Sequence, residues 1–218
     1  MTKFKFSTLA LLAVFALAFS ACDNDDETPG IQEGTVNMMF EYTVDGAAFD
    51  TTQVYDINGT SVQFTIANFY VGGIELMPEE GDAIPVEGKY LLVTPEAGMQ
   101  EVTTVPAGHY HMVNFFVGVD PAINSQSEDD FTSRDAEDPL AIQFPAMHWN
   151  WNNMLQNVSL TAHKDVEKGS NMLHMEFDLA KLFEGVDLST DFSTHTMNNP
   201  ELAAAVRDNI PAAISMMH

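Results

Sequence analysis

Two short stretches of this chain carry side chains whose types and spacing could do chemistry. His109-Tyr110-His111 is a His-x-His pair, and in a strand the period of two points both imidazoles to one face, close enough to share a metal ion. On that reading the face continues as Val113, Phe115 and Val117, so the pair stands at the end of an apolar ladder. The second stretch, Phe144 to Trp151, holds both tryptophans of the protein, Trp149 and Trp151, together with Met147 and His148. Strand alternation would put Met147, Trp149 and Trp151 on one face and His148 on the other. Imidazole and thioether are donors suited to copper, and thirteen methionines in 218 residues is a high count. Each feature also has a plainer reading. His-x-His is common by chance, a Trp-x-Trp segment can anchor an aromatic core, and methionine fills gaps in apolar packing.

Other chemistries lack their signatures. There is no G-x-S-x-G, no Gly-rich phosphate loop, no H-E-x-x-H and no C-x-x-C-H, which argues against a hydrolase, a nucleotide-binding protein and covalent haem. With no defensible nucleophile–base pair or paired carboxylates, the chain reads as a binding protein and not an enzyme. A formal charge of −24 argues against nucleic acid as a partner.

The first residues set where the protein works. Lys3 and Lys5, an apolar run from Leu9 to Phe19, and then Ser20-Ala21 before Cys22 follow the order of a secretory signal; the run is too short to span a bilayer. Small residues directly before the sole cysteine resemble the lipobox of bacterial lipoproteins, with Phe19 in place of the usual Leu. Residues 1–21 are therefore expected to be a signal peptide and Cys22 a lipidated anchor in the outer membrane, facing the periplasm or the cell surface. Removing that peptide removes two lysines and no acid, so the mature chain is still more acidic. It would repel anionic headgroups and meet the membrane through its acyl chains. With Cys22 acylated, no thiol remains for a disulfide or a metal site. Residues 22–33, which run Asp23-Asn24-Asp25-Asp26-Glu27-Thr28-Pro29-Gly30 after the cysteine, read as a solvated tether. An acidic run after such a cysteine resembles a surface-export signal in some double-membraned bacteria.

The elements that must position the two stretches belong to a single domain over residues 34–218. Val36, Met38, Phe40, Tyr42 and Val44 alternate strictly before Asp45-Gly46, as a half-buried strand entering a turn does. Val62, Phe64 and Ile66 start a second run that continues through Phe69 to Val71, where Gly72-Gly73 shifts the phase as a β-bulge would. Lys89 to Thr94, Gly108 to Val119, Asn157 to His163 and Met172 to Leu179 are further strand candidates. About 7–9 short strands between Gly, Pro, Asn and Asp turns predict an all-β fold, an antiparallel β-sandwich or barrel-like domain. A short C-terminal helix should begin with Asn199 as cap and Pro200 in its first turn. The acidic segment Ser127 to Asp138 reads as a solvated loop. A calcium site there would need converging oxygen ligands, and its spacing is not that of an EF-hand.

Met147-His148-Trp149-Asn150-Trp151 resembles the Met-x-Trp-x-Trp motif of the MbnP-like family, periplasmic copper-binding proteins associated with methanobactin uptake and found as lipoproteins outside that context. Other landmarks follow in order. Phe64 to Leu76 resembles the family's tyrosine-rich strand, Val105 to Tyr110 its "vPaGtY" segment, and Val117-Gly118-Val119-Asp120 with Asn124 its "iGvD…N". His195-Thr196-Met197 and Asp208-Asn209-Ile210 resemble its C-terminal region. Phe183-Glu184-Gly185 and Lys164 to Ser170 stand where the family has a longer loop. The resemblance implies a β-sandwich-like fold and copper binding. In characterised relatives a partner di-haem enzyme oxidises a tryptophan to kynurenine, whose aromatic amine joins histidines around the metal. Carried onto this chain, the candidates are Trp149 or Trp151 for oxidation and His109, His111, His148 and His195 as ligands. The competing reading is a surface interaction or carbohydrate-binding module in which Trp149 and Trp151 form a stacking platform.

Overall fold

The computed structural model describes residues 31–141, 154–190, 193 and 199–217. Among them run β1 (Glu33–Val44), β2 (Ala47–Ala48), β3 (Tyr55–Ile57), β4 (Thr60–Val62), β5 (Phe69–Pro78), β6 (Ile84–Pro85), β7 (Leu91–Val93), β8 (Gln100–Pro106) and β9 (Gly108–Val117). After them come α1 (Pro121–Asn124), α2 (Glu128–Thr132), β10 (Gln156–Val166), β11 (Gly169–Asp178), a 3-10 turn (Lys181–Phe183), α3 (Pro200–Asp208), α4 (Ile210–Ala213) and β12 (Ile214–Met216). None of the described helices is long and apolar enough to cross a membrane.

The strands form an all-β sandwich of two five-stranded sheets plus the small β3–β4 hairpin. The first sheet is ordered β12-β11-β1, with β8 and β2 sharing the remaining edge of β1. The second is ordered β10-β9-β5, with β6 and β7 sharing the far edge of β5. Each inner face comes from the period of two: Val36, Met38, Phe40, Tyr42 and Val44 of β1 are all buried, as are Leu173, Met175 and Phe177 of β11. They meet Val71, Ile74 and Leu76 of β5, Val113, Phe115 and Val117 of β9, and Val158, Leu160 and Ala162 of β10 in one core. Phe69 joins the sheets at one end, 5.4 Å from Phe40 and 4.8 Å from Phe177 between ring centroids, both edge-to-face. Met38, Ile74, Leu76 and Met175 are essentially inaccessible, and each stabilises the fold by about 1.5–3 kcal/mol through burial.

The phase shift expected at Gly72-Gly73 is present. The β5–β9 register slips between Gly72 and Glu75, and Gly73 has φ +57°. A Cβ on Gly73 would meet the Phe116 ring at 2.4 Å, so glycine serves both the backbone angle and the ring.

The pairing and two segments differ from expectation. β1 and β11 run parallel, with Met38 opposite Leu173 and Tyr42 opposite Phe177, so the first sheet is mixed. The cause is the two-residue turn Glu167–Lys168, which switches the chain between sheets instead of closing a hairpin within one. Buried Asn171 holds that crossover: Nδ2 donates to the carbonyls of Glu167 (2.7 Å), Gly169 (3.0 Å) and Thr35 (3.3 Å), and Oδ1 accepts from Glu167 N–H (3.0 Å). Ile66, read as a strand residue, is 76% exposed in the coil between β4 and β5. The acidic segment forms α2, because Ser127 and Asp130 cap its first turn reciprocally. At the C-terminus Asn199 caps α3 through Leu202 N–H, with Pro200 behind it.

Candidate functional site

His109 lies near the start of β9, and its antiparallel partner on β10 is Asp165, so both side chains leave the same face of the sheet. Nδ1 of His109 is 2.7 Å from Oδ1 of Asp165. An ionised carboxylate only accepts hydrogen bonds, so Nδ1 carries a proton, and the tautomer this favours has its lone pair on Nε2. This is how a carboxylate orients a metal-binding imidazole. His163, two residues before Asp165, stacks its ring on that of His109 with centroids 5.8 Å apart and planes at 29°.

His163 reaches that position through an irregular backbone. The β9–β10 register slips between Thr161 and Lys164, and His163 has φ +41°. A side-chain-bearing residue in that region costs about 1–2 kcal/mol. The fold thus sustains an unfavourable backbone at the residue whose ring covers His109.

The apolar ladder expected to start at His109 starts at Val113 instead. Tyr110 is the inward residue: it is 3% exposed, its hydroxyl donates to the Pro106 carbonyl at 2.8 Å, and burial raises its pKa. Between Tyr110 and Met112 the register slips against β10 and also against β5, which resets the alternation and puts His111 in the bulge. His111 is half-buried, and its Nδ1 is closed to solvent without a hydrogen-bond partner.

On the other side His109 borders an open groove of about 440 Å³ that is also lined by Glu79, Glu80, Asp82 and Tyr110. The Glu79 N–H donates to the His109 carbonyl at 3.0 Å. Three acids beside the imidazole raise the local cation concentration. Among the described residues no three His, Cys, Asp or Glu side chains converge to hold one ion.

Two carboxylates of the acidic segment are engaged locally. Asp130 accepts from Ser127, and Asp138 accepts from Arg134 Nη1 and from Leu140 N–H, each at 2.8 Å. Burial alone would raise the Asp138 pKa, but those partners outweigh it and hold the pKa low. A second groove of about 510 Å³ on the β5–β9–β10 sheet contains Glu75, Lys89, Tyr90, Asn114 and Asp120, a hydrogen-bonding surface without imidazole or thioether.

Cys22, His148, Trp149, Trp151 and His195 lie outside the described residues. The residues that follow the segment carrying His148 lie at the end of the sandwich where β9 finishes. Leu155 packs where a Cβ on Gly118 would meet its Cα at 3.3 Å. Asn209, at the end of α3, donates to the Leu182 and Glu184 carbonyls just beyond β11. From that end of β9, Val117, back to His109 is about 26 Å at roughly 3.3 Å per residue. His163 and Asp165 escaped the sequence reading because only strand register brings them to His109; the signal that could have found them is a second period-two pair of polar, metal-compatible residues on the neighbouring strand.

The MbnP family model matches residues 33–153, more than half of the chain. The match takes in β1 to β9, with His109, His111, His148, Trp149 and Trp151; His163, Asp165 and His195 lie beyond it. Among solved structures, MbnP from Methylosinus trichosporium aligns with 16% identity and a TM-score of 0.49, covering 72% of this chain and 80% of that one. No curated protein matches.

Proposed function

We propose that this chain, which belongs to the MbnP family, is an envelope-anchored lipoprotein that binds copper without catalysing a reaction, with His109 and His163 among its ligands. The observation that carries this reading is the His109 ring, tied through Nδ1 to Asp165 at 2.7 Å and stacked on His163 at 5.8 Å. One imidazole is fixed in the tautomer that leaves Nε2 available, and a second lies against it. Imidazole suits copper, zinc, iron and nickel alike, and it is family membership that selects copper among them. His111, with its orphaned Nδ1, is the third imidazole of this end. When bound, the metal adds positive charge at the rim of an acidic groove; the chain's own contribution is to orient His109, to hold His163 over it and to gather cations through Glu79, Glu80 and Asp82.

In this proposal Cys22 carries the acyl anchor in the outer membrane, His148 and His195 are further candidate ligands, and Trp149 or Trp151 is the candidate for oxidation. A di-haem partner enzyme would oxidise one of those tryptophans to kynurenine. The test is protein purified from its native envelope, examined by intact mass and by metal analysis. The reading expects an acyl adduct on Cys22 and stoichiometric copper. Unacylated protein would overturn the anchor. Protein that carries no copper, and takes none up when supplied, would overturn the metal.

A further inference from the structure

The outer face of the first sheet holds a row of soft donors that the His109 site does not use. Met39 of β1 and His174 of β11 are partners in the parallel ladder. On the other side of β11, Met175 is opposite Met216, and Met217 N–H donates to the His174 carbonyl at 2.8 Å, extending the antiparallel ladder by one residue. The neighbours of these residues show which face they take. Met38, Phe40, Leu173 and Met175 are buried in the core, so the period of two turns Met39, His174 and Met217 outward together. Same-face neighbours on adjacent strands have Cβ atoms about 4.5–5.5 Å apart, and the methionine side chain is flexible enough to bring its sulfur across that gap. The result is thioether, imidazole, thioether across three adjacent strands. Met172, two residues before His174, is 37% exposed beside them.

The centre of the row has an unexplained feature. Nε2 of His174 is closed to solvent and makes no hydrogen bond; Oε2 of Glu41 is 3.4 Å away. A shielded ring nitrogen needs a partner. A carboxylate beside it and thioethers at the same-face positions of the two neighbouring strands suit a soft cation of single charge better than a hard divalent one.

We propose that Met39, His174 and Met217 form a binding site for a soft monovalent cation, Cu(I) or its redox-inert analogue Ag(I), with Glu41 as the counter-charge. This site is independent of His109 and His163, which lie on the other sheet, and it can stand if the copper reading there fails.

The experiment is a titration of the full chain, labelled at the methionine methyl groups, with Ag(I) followed by NMR. The Met39 and Met217 methyl resonances should move together and saturate at the same point. Met39→Leu and Met217→Leu, nearly volume-conserving changes that keep the fold, should each weaken that event about tenfold or more. His109→Ala should leave it unchanged. Unmoved Met39 and Met217 methyls, or an affinity the two leucine variants do not alter, would overturn the proposal.

Discussion

Replacing Gly34 by alanine should be among the most damaging single-methyl changes in the protein. A Cβ at that position would lie 2.1 Å from the carbonyl oxygen of Glu167, 2.7 Å from Asn171 Nδ2 and 2.7 Å from Val166 Cγ1. Ordinary carbon–oxygen contacts stand at about 3.3–3.6 Å, so the turn must retreat by roughly 1 Å, and the first obstacle is backbone that no rotamer change can move. Overpacking of this kind costs about 1–3 kcal/mol. Retreat also stretches the Asn171 bonds to Glu167 and Thr35, at about 1 kcal/mol for each bond lost. Together the loss is about 2–5 kcal/mol. Urea denaturation should then move the midpoint down by roughly 1–2.5 M, taking a slope near 2 kcal/mol/M. Gly108, opposite Val166 in the same region, has nothing within 4 Å of an added Cβ, and Gly108→Ala should stay within about 0.5 kcal/mol of the parent. A Gly34→Ala protein as stable as Gly108→Ala would refute the account of the sheet-switching turn.

Three further outcomes follow from the geometry. Because asparagine tolerates positive φ better than most residues, His163→Asn should keep or slightly raise stability while weakening copper binding; loss of both in parallel would mean that the ring serves packing alone. Asp165→Ala removes the acceptor that orients His109, and because Asp165 is 78% exposed the effect should fall near the lower end of the 10–100-fold range for such partners, read by copper competition. For Asp120, burial alone would raise the pKa, but hydrogen bonds from the Tyr90 hydroxyl and the Ile123 and Ala122 N–H groups lower it. A folded pKa below the unfolded value near 3.9 gives stability that is present above about pH 4 and lost as pH falls through the folded pKa. Asp120→Ala should therefore cost about 1 kcal/mol at pH 7, a gap that narrows on acidification; a gap constant down to pH 3 would contradict the assignment.

How far the sequence determined these features depends on whether the signal was local. The alternation of Val36 to Val44, the Gly72-Gly73 slip and the Asn199-Pro200 cap each depend on a few adjacent residues, and each is present in the fold. The parallel pairing of β1 with β11 was not legible, since it follows from a turn that changes sheets and from Asn171 reaching back to Thr35. At the site, His109 was visible as a donor but its environment was not. Strict alternation assigned it to the ladder of Val113, and the slips on both sides of β9 gave that face to Tyr110. Its partners His163 and Asp165 lie on another strand, and only register connects them. The α2 turn was missed because a dense run of acids hid the Ser127–Asp130 capping box.

The most direct test of the central claim is the copper affinity of the full chain compared with that of His109→Ala, measured by competition with a chelator of known affinity. Because Asp165 fixes His109 with Nε2 available and His163 stacks on it, the account predicts one site weakened by at least about tenfold, or about 1.4 kcal/mol, with the unfolding midpoint little changed. Copper binding of equal strength and stoichiometry in the parent and in His109→Ala would contradict it.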